Sequence, residues 1–511
     1  MTISSHVSVE SVQILDHNIM CDNCFLNVDL FRHIDANIAD RCKLDELHLR
    51  NAGNGLWVCV LVPLALLSGI RHFAEWSELY TTVSLIGIGL LVSSCCGILH
   101  RDSRSFDSGS VPFIQIGYIL SSTVVSLLLI FVINRGVVYS LSIALATSFA
   151  YHPIHQTLIK CCPKSFTWGE ASLIAQSLVL YLSSFVVKIF LSLERTTSKS
   201  CGDSATVVVQ SGFFAVLITL LLVHHFRNRM SNVFIFSAAL ITCAVVFVVA
   251  LPRVIFNVNS ILWLFNLLSD QNSMTLILLW LLCSIVAVLC LLWQIRTSAP
   301  VTTVTRKSFH LLIFLVIVPG TVWSPCLLYT ASNAGFALMI IIEMCRKLNF
   351  SRYGEWLQEC FDTFKDEKDE GELALTPLYL MVGCSAPIWI YPLSYSVPVP
   401  LPVLAGIFPV AIGDAAASVG GTLLGKHKWK DSNKTVEGSV FCFVSQMIVF
   451  GSFAFFGIIE MSYVSWASVV FIMTSVIEAK TDQIDNVVLH FIYDRYVMPY
   501  LLSLFVNFCT R

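Results

Sequence analysis

Between residues 413 and 438 the chain reads GDAAASVGGTLLGKHKWKDSNKTVEG, a carboxylate, spaced glycines and a Lys/Thr/Glu cluster set inside an otherwise apolar polypeptide. Gly413, Gly420, Gly421 and Gly425 leave no Cβ where a polyphosphate would approach backbone N–H groups. Lys426, His427, Lys428, Lys430 and Lys434 gather basic character beside them. That is the chemistry of a nucleotide triphosphate site. The stretch matches neither common phosphate-binding fingerprint, GxxxxGK before Ser or Thr or GxGxxG between strand and helix, so the roles come from the residues themselves. Lys434 can neutralise a phosphate, Thr435 can donate to it, and Gly438 opens the next helix, whose free N–H groups favour an anion. Glu437 completes the cluster, and Lys434 and Glu437 join Asp414 and Asp485 as the candidate catalytic residues.

Carboxylates supply the second half of such a site. Asp414 lies deeper in an apolar run than those around it, and Pro402, Gly406, Pro409 and Gly413 predict that this span is broken, leaving Asp414 to line a polar cavity. Further on, EAKTDQIDN sets Glu478, Asp482 and Asp485 at i, i+4 and i+7, one face of a helix if the helix continues through them. A divalent cation bridging nucleotide phosphates takes one or two protein carboxylates. Asp414, Asp482 and Asp485 are the candidate metal ligands, and Asp414 or Asp485 the candidate base; the residues alone do not divide those two roles. Arg306, Lys307 and His310 form a second basic group, for which lipid headgroups are a competing use.

These residues are held by a membrane bundle. Of 511 residues 56% are hydrophobic and only 13% charged, against about a quarter charged in soluble domains. Apolar runs long enough to span recur at 55–70, 79–99, 111–133, 136–151, 170–193, 208–225, 233–251, 254–268, 274–294, 309–330, 333–348, 377–395, 400–424, 439–458, 463–478 and 487–508. Several are short or interrupted, and the length rule gives about fourteen spans. The expected fold is an all-α polytopic bundle. It comprises a polar segment over 1–54, a multispan region over 55–300 with almost no buried charge, read as scaffold, and a catalytic region over 301–511.

The first fifty or so residues lack an uninterrupted apolar h-region, so no cleavable signal is expected. A net charge of −2 gives no global attraction to nucleic acid. Most of the eighteen cysteines fall in apolar runs and read as small hydrophobes. Cys21 and Cys24 have CxxC spacing but no second pair at metal-ligand distance. His152 and His155 read as an HxxH in a loop, His224 and His225 as a helix end, and residues 346–372 as a solvated loop or surface helix. By the positive-inside rule Arg306 and Lys307 and the basic residues at 346–352 stay cytoplasmic. Counting onward then puts both the Lys-rich loop and EAKTDQIDN on that same face. This ordering needs 309–330 and 333–348 to be separate spans.

The two motifs, in order, with RKSFH at 306–310 before them, resemble the C-terminal catalytic region of the dolichol kinase family, within the wider group of CTP-dependent polyprenol, phytol and diacylglycerol kinases. The resemblance is dense over about 303–490; before that it is one of apolar character, although a long multispan N-terminal half is similar to dolichol kinases rather than to their shorter relatives. It implies transfer of the γ-phosphate of CTP to dolichol with a divalent cation, Mg2+ or Ca2+, at the cytoplasmic face of the endoplasmic reticulum membrane. The product is the lipid carrier for protein glycosylation and glycosylphosphatidylinositol anchors. It also implies CTP binding over about 421–438. The chain departs from the pattern at Asn433, where a basic residue is expected, and at His490, where a proline is usual. Two other readings compete. A CDP-diacylglycerol-type cytidylyltransferase would carry glycines that Tyr493-Asp494-Arg495 lacks, and a transporter would use Asp414 as a midplane site.

Overall fold

The computed structural model describes residues 34–43, 45–73, 78–102, 113–194, 201–297, 303–364, 371, 373, 375–391, 393, 397–430, 432–484 and 489, apart from some side chains among them. Cys21, Cys24, Asp485, Asn486 and His490 lie outside these residues. The described chain is helical throughout, with no strand beyond one isolated bridge between Lys428 and Thr435. Eleven of its helices are long and apolar enough to cross a membrane, and four shorter apolar helices accompany them: Leu56–Leu67, Ser260–Ser269, Lys307–Trp323 and Thr376–Ile390. The bundle is as expected; the difference from fourteen spans lies mostly in these short helices, which fall below a full bilayer crossing. Residues 309–348 do form two helices, Thr303–Trp323 and Pro325–Leu348, divided at Ser324. Ser351–Phe364 is the expected polar surface helix.

Two expectations for the N-terminal half are corrected. His152 and His155 stand inside the helix Val137–Cys161 rather than in a loop, and both are buried. They share its inner face with Tyr151 and Ile159, and the His155 ring packs on Trp168 at 4.5 Å between centroids. Polar residues in a bundle interior need not break a helix. Nor is this half free of buried charge, because Arg50 and Glu170 form an ion pair at 2.6 Å with both side chains under 10% exposed. The described cysteines are free thiols, Cys59, Cys96, Cys243 and Cys283 among them buried and Cys95 and Cys290 exposed.

The span carrying Asp414 sits in the interior. Leu401–Leu424 is 72% buried inside the protein, against 11% for Val233–Phe256, so its neighbours are protein rather than lipid. It is broken as expected, but by changes of pitch rather than by unwinding. A short 3-10 turn, Leu401–Leu404, gives way to a wide π-helical stretch, Ile407–Gly413, and then to the α-helix Asp414–Leu424. Pro409 removes one backbone donor from the stretch, the usual local cause of such a departure from the α ladder. Beneath it Phe408 packs against Phe471 at 5.1 Å and Phe453 at 5.9 Å, locking the π stretch to the helices Val464–Lys480 and Val436–Phe455.

Candidate functional site

Asp414 opens its helix with only 4% of its surface exposed, a position that demands compensation for a charge. Lys307, one turn into Thr303–Trp323, provides it through a direct ion pair. His310 Nδ1 lies 3.6 Å from the same carboxylate oxygen and 2.8 Å from the Val410 carbonyl. A carbonyl only accepts, so Nδ1 carries the proton, and the ring is oriented between the π stretch and Asp414. Arg306 lies on the same helix, with its side chain outside the described set.

A second buried carboxylate stands across the helix Val436–Phe455. Glu478 is 3% exposed and pairs with Lys434, whose Nζ also donates to the Glu478 carbonyl at 2.8 Å. Cys442, near the start of Val436–Phe455, lies within electrostatic reach of both Asp414 and Glu478. Asp414 opens the helix that packs on Val436–Phe455 and Lys434 precedes the start of that same helix, so both lysine–carboxylate pairs lie along it.

The loop before that helix is closed by its own backbone. Trp429 N–H donates to the Lys434 carbonyl at 3.0 Å and Val436 N–H to that of His427 at 2.8 Å. Thr435 is the N-cap, its hydroxyl accepting from Gly438 N–H at 3.2 Å. Ser432 anchors the tip by donating to the Ala479 carbonyl at 2.9 Å. Trp429 is a strap: its indole N–H donates to Ser439 at 3.0 Å, and Lys480 sits 5.8 Å from the ring centroid. Lys426, His427, Lys428 and Lys430 are exposed along the loop, as is Gly425, so they are available to an anion from solvent. Gly421 and Gly438 let the two helices approach: a Cβ on Gly438 would meet the Ala417 carbonyl at 2.8 Å, and one on Gly421 would meet Thr435 Oγ1 at 3.0 Å.

Glu437 has a defined task. Its carboxylate accepts from His427 N–H at 3.2 Å and meets His427 Nδ1 at 2.6 Å. This ties the first basic residues of the loop to the helix start. Glu437→Gln is expected to raise KM for the nucleotide about tenfold with a smaller change in kcat, because it loosens the charge-assisted tie without touching Asp414 or Lys434. Steady-state kinetics against nucleotide concentration check this, and a kcat loss at unchanged KM would instead put Glu437 at the reacting atoms.

The acidic motif departs from its expected helical face. Val464–Lys480 ends at Lys480, and Thr481 is extended at φ −83° and ψ 133°. Glu478 is therefore buried on the helix, while Asp482 is exposed on the segment beyond it. Among the described residues no three His, Cys, Asp or Glu side chains gather as a complete metal cage. His310 and Glu478 are the residues to which spacing gave too little weight. Burial at a span end was the signal for Glu478, and position one turn beyond Lys307 that for His310.

A dolichol kinase family model matches residues 117–385. The chain is 30% identical to a dolichol kinase of Bos taurus over 359 residues, 66% of this chain and 65% of the relative. It is 29% identical to one of Homo sapiens over 359 residues, again 66% and 65%, and 26% identical to one of Arabidopsis thaliana over 445 residues, 77% and 78%. The match to the bovine and human relatives thus spans just under two thirds of their length. No solved structure matches. The family match begins far upstream of the catalytic motifs, so the likeness of the N-terminal spans is one of sequence and not of apolar character alone. The chain belongs to the dolichol kinase family.

Proposed function

We propose that this protein transfers the γ-phosphate of CTP to the terminal hydroxyl of dolichol, giving dolichyl phosphate and CDP. The observation that carries the reading is the pair of lysine–carboxylate contacts with buried carboxylates, Lys307 with Asp414 and Lys434 with Glu478, inside an apolar bundle. Phosphoryl transfer asks the protein chiefly to position the reactants and neutralise charge. Each lysine is compensated by a carboxylate that can hold a cation, so a cation–nucleotide complex is taken by exchange: lysines to phosphate oxygens, carboxylates to the cation.

The donors fit a hard divalent cation, Mg2+ or Ca2+. They are carboxylates, the hard oxygen ligands such a cation would take. Asp414, Asp482 and Asp485 would hold it, with Glu478 nearest Lys434, and when bound it withdraws charge from the transferring phosphate. Lys426, His427 and Lys428 draw the nucleotide to the loop, Lys307 and Lys434 hold its phosphates, and the Thr435 hydroxyl, whose oxygen caps Gly438 N–H, can donate to them from the helix start. The dolichol oxygen bonds to the γ-phosphorus as the bond to the β-bridging oxygen breaks. CDP leaves, and the hydroxyl proton passes to a carboxylate, for which Asp414 and Asp485 are the candidates. An interfacial site suits both substrates, one confined to lipid and one to water. The membrane is proposed to be that of the endoplasmic reticulum, with the site facing the cytoplasm.

Purified protein in detergent with γ-labelled CTP, offered dolichol, an unsaturated polyprenol, phytol and diacylglycerol, tests this. Label on dolichol from CTP and not from ATP is the expected result. Label on phytol or diacylglycerol alone would make it another lipid kinase, and release of pyrophosphate a cytidylyltransferase.

A further inference from the structure

Beyond the helix, Asp482, Gln483 and Ile484 are each bonded to the other half of the chain. Arg50 Nη2 donates to the Asp482 carbonyl at 3.1 Å, and Ile484 N–H donates to Glu170 Oε1 at 3.0 Å. Between them the Gln483 side chain is 3% exposed; its Nε2 donates to the Gly53 carbonyl at 2.8 Å, and its Oε1 accepts from the Thr167 hydroxyl at 2.7 Å. The receptor is itself built. Arg50 and Glu170 are paired at 2.6 Å, and Glu170 and Thr167 form a reciprocal cap at the start of Trp168–Glu194, with Thr167 N–H to Glu170 Oε2 at 2.9 Å and Glu170 N–H to Thr167 Oγ1 at 3.3 Å. Room for the amide comes from glycine. Gly55, at φ +65°, has no Cβ where Gln483 sits, and Gly169 packs directly on the Gly55 carbonyl.

A fold-stabilising contact alone would be met by apolar packing. This arrangement instead buries an ion pair, at a desolvation cost that hydrophobic residues avoid, and directs both its members at backbone groups of one three-residue stretch. That stretch carries Asp482 and leads directly to Asp485. We propose that Arg50, Thr167 and Glu170 are positioning residues for the transfer reaction: they fix the backbone of Asp482, Gln483 and Ile484, and thereby the Asp482 carboxylate that the acidic motif presents to the cation–nucleotide complex. The N-terminal half is then a working part of the catalytic site. This rests on the reading of Asp482 and Asp485 as cation ligands.

The test uses the full-length protein in detergent. Arg50→Met with Glu170→Gln removes both buried charges together, leaving no unpaired ion and keeping a residue that can still cap the helix. Thr167→Val removes the contact to Gln483 and the hydroxyl that caps Glu170 N–H, leaves the Arg50–Glu170 pair in place, and serves if the pair variant fails to fold. Hydrogen exchange at the Gln483 and Ile484 amides is expected to quicken about tenfold or more in the pair variant. Its kcat is expected to fall by roughly 10- to 100-fold, with the half-saturating divalent cation concentration raised and KM for dolichol unchanged, as for a misplaced rather than missing group. Thr167→Val is expected to move the same readouts in the same direction by less, and Ser94→Ala, in a separate buried network where Ser94 bonds Tyr151 at 2.8 Å and Gln176 at 2.7 Å, to leave all of them at wild-type values. Wild-type exchange in both clamp variants, or faster exchange with wild-type kcat and cation dependence, overturns the proposal. Asp482→Asn and Asp485→Asn run in parallel; full activity in both overturns the cation reading instead, and exchange still decides whether the segment is held.

Discussion

Asp414→Asn is expected to lower phosphate transfer by about 10³-fold while leaving a monodisperse, folded protein. Asparagine keeps the shape of the side chain but not its charge, in a place where burial magnifies what a charge does. In the wild type that carboxylate faces the Lys307 ammonium, with the His310 ring beside it. Removing it deprives the proposed cation of a buried ligand and leaves Lys307 with no counter-charge from this side chain when phosphate is absent. The structural penalty is limited because Lys307 is 20% exposed and reaches solvent. Labelled-phosphate transfer to dolichol, together with size exclusion in detergent, measures both effects. Excess divalent cation should not restore turnover, and wild-type turnover in this variant would remove Asp414 from the site.

The second large effect is expected at Lys434. Lys434→Ala should bring transfer to background and also lower stability by roughly 1–3 kcal/mol, because Glu478 is left buried without its partner. Lys434 itself is 37% exposed, which places the cost below that of a fully buried pair. The double variant Lys434→Met with Glu478→Gln separates the two roles. Loss of both charges should return thermal stability close to wild type, yet activity should stay at background, since no ammonium remains to meet the phosphate. Recovery of activity together with stability would reduce Lys434 to a structural counter-ion.

The parts of this molecule that were legible in its sequence are those carried by local pattern. Run length and hydropathy sufficed for a polytopic helical bundle, and the proline and glycine spacing over 402–413 marked the break in the Asp414 span. Lys307, Asp414, Lys434 and Thr435 stood out because charge and capping residues in apolar surroundings need partners. The shared face of the acidic motif was conditional on the helix continuing: i, i+4, i+7 spacing describes one face only while the helix lasts, and it stops at Lys480. His152 and His155 were misplaced because polar side chains suggest a loop, whereas a bundle interior packs them within a continuous helix. Arg50 and Glu170 could not be found at all by spacing. They are 120 residues apart, and the Asp482 carbonyl lies 432 residues beyond Arg50, a separation that leaves no periodic trace.

The wide turn from Ile407 to Gly413 makes the aim of Asp414 a matter of counting. A π-helical stretch holds one more residue than the α-helix it interrupts, and each residue of an α-helix advances the azimuth by about 100°. Deleting a single residue there would let the backbone relax into an ordinary helix and swing Asp414 by roughly that angle, away from Lys307 and His310. Every residue of the site would still be present and in order. An alignment that tolerates a one-residue gap at this point would score such a chain as intact, though its carboxylate faced the wrong side of the bundle.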